Sequence, residues 1–122
     1  MSTKNSKFKI ILFTKRFIFL LEKYLDNIPN RRRVLKDNIN NASYNLLRNI
    51  YLANILDRET FGEKRRYLES VILSDLSMLD FFLEDLYKNK YISEKNSLAM
   101  SGELEQIRIW VRGWINSEKS ND

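Results

Sequence analysis

The chain contains no cysteine and no histidine, a single proline and only three glycines. Without thiols there is neither a disulfide framework nor a thiolate metal site, which fits a cytoplasmic protein. Without imidazole the Glu-x-x-His di-iron pattern of helical bundles is excluded. So are zincin motifs, histidine triads and helical ribonucleases of the Arg-x4-His type, and no metal or other cofactor is expected. Turn-rich all-β folds need far more glycine and proline than this. Long hydrophobic runs are missing too. The apolar stretches Ile10–Phe13 and Phe17–Leu21 are short, Lys15 and Arg16 interrupt them, and no small-residue cleavage site follows. They are therefore read as neither a signal peptide nor a membrane span, and no membrane partner is expected. There is no glycine-rich phosphate loop, tandem repeat or low-complexity linker.

What remains is hydrophobic residue at helical spacing. With 122 residues, 43% of them hydrophobic, the chain has the size of one domain with one core. The stretch Lys64–Tyr91 dominates it: Leu68, Ile72, Leu79, Phe82 and Leu86 share one helical face. A helix that long and that apolar on one side must be covered by others. A first helix over about 7–28 presents Ile10, Phe13, Phe17, Leu21, Tyr24 and Ile28, and Pro29 stops it. A second over 32–56, with Asn30 as a possible cap, presents Leu35, Ile39, Ala42, Leu46, Ile50 and Ala53. Gly62 breaks the period before a third helix over 63–89, where Thr60 is the candidate cap. Ser93 caps a fourth over 94–116, whose stripe Met100, Leu104, Ile107, Val111 and Trp114 is the cleanest in the chain. The polar tails 1–6 and 117–122 are expected to be flexible. Short connections imply antiparallel neighbours. The expected fold is all-α, a single-domain up-down-up-down antiparallel four-helix bundle.

Two features exceed what a lone bundle needs. Phe8, Leu12 and Phe19 form a second apolar stripe on the first helix, and Tyr44, Leu47 and Tyr51 form another on the second, near Arg48. A bundle helix buries one stripe, so these six residues are expected to meet a sister subunit. The second stripe has the composition of a base-stacking patch as well. Charge is also uneven. The net charge is +5, yet residues 1–36 hold ten basic side chains against two acidic ones, a surplus of eight that leaves the rest at minus three. An anionic partner follows: nucleic acid, an acidic protein or a membrane surface, against the simpler reading of a solvated face. Arg31, Arg32 and Arg33 fall in the first turn of the second helix, where the helix dipole disfavours cations. Phosphate is the ligand that guanidinium matches best.

Carboxylates offer little chemistry. Asp75 interrupts the stripe between Ile72 and Leu79 and needs a polar partner, which marks it as a register pin. A Mg²⁺-dependent hydrolase would have to be built from Asp75, Asp80, Glu84 and Asp85, of which the last three read as a solvated acidic face.

The order KRRYL…L..L…L, then KYIS, then QIRIWVRGWI, with an Ile-Pro-x-x-x-Arg corner at Ile28–Arg33 and Gly-Trp-Ile at Gly113–Ile115, resembles the small "four-helix bundle protein" family over about residues 8–117. That family contains the accessory variability determinant (Avd) of diversity-generating retroelements and proteins encoded in intervening sequences of bacterial 23S ribosomal RNA genes. The chain departs from it at Arg108-Ile109 and Arg112-Gly113, where members carry Gly-Arg and Gly-Gly. The resemblance implies an all-α protomer that assembles into a barrel-like homopentamer with a basic surface. It further implies a non-enzymatic accessory that binds a reverse transcriptase and RNA or DNA during mutagenic cDNA synthesis. On that reading Lys15, Arg16, Lys23, Arg31, Arg32, Arg33 and Lys36 hold phosphates, with little sequence dependence. The alternative is a stand-alone interaction bundle of the intervening-sequence type with no reverse-transcriptase partner.

Overall fold

A computed structural model describes the backbone of residues 3–120 and the side chains of residues 7–117. It is all-helical among the described residues: α1 (Thr3–Leu25), a single 3₁₀ turn (Asn30–Arg32), α2 (Arg33–Ile55), α3 (Arg58–Lys88) and α4 (Glu94–Ser120). Each helix packs on its neighbours in sequence, and α1 also packs on α4, so the four close into a bundle. Cross-helix contacts run in opposite directions along each pair. Tyr44 meets Glu22 while Tyr51 meets Lys15, and Asn49 meets Asp75 while Leu56 meets Arg65. The up-down-up-down order of the sequence reading therefore holds. No helix among the described residues is long and apolar enough to cross a membrane.

Helix ends differ from expectation in instructive ways. α1 stops at Leu25, not Ile28. The N–H groups of Asn27 and Ile28 turn back onto the carbonyls of Tyr24 and Leu25, each at 3.1 Å, because Pro29 forces extended geometry just beyond them. Asn30 does not cap α2. It opens the 3₁₀ turn, closed by Arg32 N–H on the Pro29 carbonyl at 2.8 Å, and α2 starts from Arg33 with no side-chain cap. The cap of α3 is Asp57, not Thr60: Asp57 Oδ2 accepts from the Thr60 N–H at 3.2 Å and from its hydroxyl at 2.7 Å. These bonds favour the charged carboxylate and hold its pKa below the ordinary value. Gly62 lies within α3; the irregularity falls one residue earlier, at Phe61, where φ is −122° and ψ is 32°. Ser93 does cap α4, its hydroxyl accepting from Asn96 N–H at 3.1 Å. Of the tails expected to be flexible, Thr3–Ser6 and residues 117–120 continue α1 and α4 as helix, and residues 1, 2, 121 and 122 lie outside the described residues.

The core follows the predicted stripes, with additions. Ile10, Phe17 and Leu21 meet Ile39, Leu46 and Ile50, Ile72 and Leu79, and the whole of the α4 stripe down to a fully buried Trp114. Ile18, Leu76 and Leu83 are buried too, whereas Phe13, Tyr24, Leu35 and Ala42 are only half-buried. A helix at a bundle corner touches two neighbours, so its buried arc is wider than a single stripe and turned toward the closer contacts.

Polar groups fix the register. Asn49 Nδ2 donates to Asp75 Oδ2 at 3.0 Å between α2 and α3, giving Asp75 the partner its position demanded. Burial still raises its pKa, while the Asn49 bond pulls the other way. Arg65 is buried, unlike its exposed neighbours Lys64 and Arg66. Its Nη1 donates to the last carbonyl of the α2 end, Leu56, at 3.3 Å, and its guanidinium lies 5.6 Å from the centre of the Trp114 ring. One arginine thus ties together the ends of α2, α3 and α4. Arg108 links α4 to α3 by pairing with Asp80 and, on its own helix, with Glu105. Burial disfavours its charge, but both hydrogen bonds outweigh that and hold its pKa above the ordinary value. Glycine at position 108 could not form this interhelical bridge.

Candidate nucleic-acid interface

The antiparallel order brings the α1–α2 turn and the α3–α4 loop to one end of the bundle, and direct contacts join them. Asn27 Nδ2 donates to the Tyr91 carbonyl at 3.0 Å. Arg32 Nη2 lies 3.9 Å from Asp85 Oδ2, and its guanidinium sits 5.9 Å from the centre of the Tyr91 ring. At this end lie Arg31 and Arg32 in the 3₁₀ turn, Arg33 and Lys36 in the first turn of α2, and Lys23 in the last turn of α1.

The seven candidate phosphate ligands are not equivalent. Arg31 and Arg33 are exposed and make no ion pair among the described residues, and the same holds for Lys23. Arg33 and Lys36 line a cleft of about 190 Å³ with Pro29, Asn30 and Asp37. Lys36 approaches Asp26 at 3.8 Å, a loose exposed pair that a phosphate can displace at little cost. Arg32 is the exception in its triplet, half-buried with the Asp85 carboxylate and the Tyr91 ring opposite it.

Lys15 and Arg16 do not belong to this end. Lys15 lies ten residues before the end of α1, about 15 Å away along the axis. Its ammonium is 5.7 Å from the centre of the Tyr51 ring. Arg16 points the other way, into the α1–α4 groove, where it pairs with Glu103 and lies 5.9 Å from the centre of the Phe13 ring. The predicted set thus divides into an end cluster (Lys23, Arg31, Arg33, Lys36), a structural arginine (Arg32) and two flank residues. The second loop at this end, with Lys88, Lys90 and Tyr91, was not among the predicted residues. The up-down-up-down order was itself the available signal, because it places alternate connections together.

The surplus apolar stripes are where they were expected. Phe8, Leu12 and Phe19 are 68%, 52% and 65% exposed on the outside of α1. Tyr44 and Tyr51 are exposed on α2, whereas Leu47, expected with them, is half-buried. Leu47 lies further round toward α1, so α1 shields it. The Tyr44 hydroxyl donates to Glu22 at 2.6 Å, and that hydrogen bond, with partial burial, raises its pKa. The antiparallel register set by Tyr44–Glu22 and Tyr51–Lys15 brings Phe19 beside the tyrosines and Phe8 and Leu12 toward the exposed Ile55. Exposed apolar residues therefore stand at matching heights on α1 and α2.

The carboxylates that a hydrolytic site would require are otherwise engaged: Asp75 with Asn49, Asp80 with Arg108, Glu84 with Lys88 at 3.1 Å, and Asp85 with Asn89 and Arg32. No family model matches the chain, and comparison with curated proteins and with solved structures yields no match.

Proposed function

We propose that the protein is a non-enzymatic nucleic-acid-binding accessory of a reverse transcriptase, of the kind found in diversity-generating retroelements. Its end cluster takes RNA or DNA backbone, and its α1–α2 face joins sister subunits into a homo-oligomeric ring of the pentameric kind. The observation that carries the reading is the pair Arg31 and Arg33, two exposed guanidinium groups without an ion pair among the described residues, with Lys36 on the same cleft as Arg33 at one bundle end. Unpaired cations gathered this way bind polyanions through phosphate, with little regard to base sequence. Oligomerisation multiplies such sites and raises avidity without new contacts. The exposed Phe8, Leu12, Phe19, Tyr44 and Tyr51 supply the apolar area that subunit association requires.

The test is light scattering for mass at micromolar concentration, fluorescence anisotropy with a labelled RNA 20-mer at 50 mM salt, and co-purification with a reverse transcriptase encoded beside the gene. A multiple of the chain mass, salt-sensitive RNA binding and co-elution are expected. A monomer that ignores RNA refutes the proposal. An RNA-binding oligomer with no adjacent polymerase points to the intervening-sequence type instead.

A further inference from the structure

Lys90 is the only residue other than glycine with a positive φ among the described residues, at 64°. It occupies the position after the C-cap of α3, in a doubly bonded helix stop. Tyr91 N–H reaches back to the Leu86 carbonyl at 2.9 Å and Lys90 N–H to that of Tyr87 at 3.0 Å. Glycine is the usual occupant there, because a Cβ in the left-handed region crowds the following carbonyl. Asparagine, the next best tolerated, stands one residue too early. Asn89 instead spends its side chain on Asp85, donating to the carbonyl at 2.9 Å and the carboxylate at 2.6 Å. A lysine thus sits where the backbone is least suited to it.

Its location says what the lysine does. The Asn27–Tyr91 hydrogen bond and the contacts of Arg32 with Tyr91 and Asp85 clamp the α3–α4 loop against the α1–α2 turn. Lys90, adjacent to Tyr91, is exposed and makes no ion pair among the described residues. It therefore faces solvent at the same end as Arg31 and Arg33, contributed by a part of the chain nearly 60 residues away. The helix-dipole reason for a cation at this end of α3 is already met by Lys88 in the last turn, paired with Glu84.

We propose that Lys90 is a phosphate ligand of the same surface, so that both loops at this end grip a single-stranded nucleic-acid backbone. The left-handed backbone is strain retained for that contact. The inference rests on the nucleic-acid reading of the end cluster and adds the second loop to it. It makes two effects of one substitution run in opposite directions.

The experiment compares wild type, Lys90→Gly and Lys90→Arg by thermal unfolding, and by anisotropy with a labelled 20-nucleotide oligo(U) from 50 to 200 mM salt. Lys90→Gly should raise Tm by about 3 °C, because glycine relieves the strained position. The same variant should bind more weakly, by about five-fold at 50 mM salt, with a salt slope lower by about 0.7. Lys90→Arg should keep wild-type binding without the gain in Tm. If Lys90→Gly raises Tm and leaves affinity and slope unchanged, Lys90 is no ligand and the inference is overturned, while the function of the Arg31–Arg33 cluster stands. If Lys90→Gly lowers Tm with binding unchanged, Lys90 serves the helix dipole only, which overturns it equally. If wild type itself fails to bind oligo(U), the nucleic-acid reading falls and the inference falls with it.

Discussion

Replacing Arg31 and Arg33 together by alanine should flatten the salt dependence of RNA binding without loosening the bundle. Both side chains are exposed and without ion pairs among the described residues, so no packing is lost and helicity should be unchanged. Each guanidinium that neutralises one phosphate of a single strand contributes about 0.7 to the slope of log K against log salt. Two removed contacts lower the slope by about 1.4. Between 50 and 200 mM salt the double variant should therefore lose about seven-fold less affinity than wild type. The starting affinity at 50 mM is correspondingly weaker. Arg32→Ala is the internal control. Its guanidinium is held between Asp85 and the Tyr91 ring, so its removal should lower stability by about 1 kcal/mol and change the slope much less. Anisotropy titrations at four salt concentrations, with circular dichroism on each variant, measure all of this. If Arg32→Ala flattens the slope as much as the double variant, exposure and pairing do not identify the ligands, and the assignment of Arg31 and Arg33 on that basis fails. An unchanged slope in the double variant refutes the assignment of those two residues altogether.

Two further outcomes test the architecture. Arg65→Met keeps an apolar stem in place of the aliphatic part of the side chain but removes its hydrogen bond to the Leu56 carbonyl and its guanidinium contact with Trp114; urea unfolding should show a loss of about 2 kcal/mol, and a neutral effect would mean that the buried arginine does not tie the helix ends. Asp75→Asn preserves a polar partner for Asn49 and removes an ionisation that burial disfavours. Because burial raises the folded-state pKa, the unfolded chain releases this proton first. Stability attributable to Asp75 therefore falls as pH rises from the ordinary carboxylate value through the folded value, and the penalty is complete above it. The variant should match wild type near pH 3 and exceed it in Tm near pH 7; a difference independent of pH would rule out Asp75 as its source.

The four helices, their order and nearly all of the core could be read from the spacing of apolar residues alone. That spacing is local: Leu104, Ile107 and Val111 lie on one side of any helix they form, whatever that helix later meets. The surplus stripe of Phe8, Leu12 and Phe19 was legible for the same reason. Helix ends were read less well, because a cap depends on φ and ψ at one residue. Pro29 shifted α1 and α2 in a way that Asn30 gave no hint of, and Asp57 capped α3 by accepting from the N–H of Thr60 itself. Charge was the least legible. Composition marked residues 1–36 as basic, but whether a cation is free to bind depends on which carboxylate or ring stands opposite it, often from another helix. Tertiary structure gave Arg16 to Glu103, Arg32 to Asp85, Arg65 to the end of α2 and Arg108 to Asp80, and it left Arg31, Arg33 and Lys90 exposed together at one end. The hydrophobic pattern is carried within each helix, whereas the pairing of charges exists only between them.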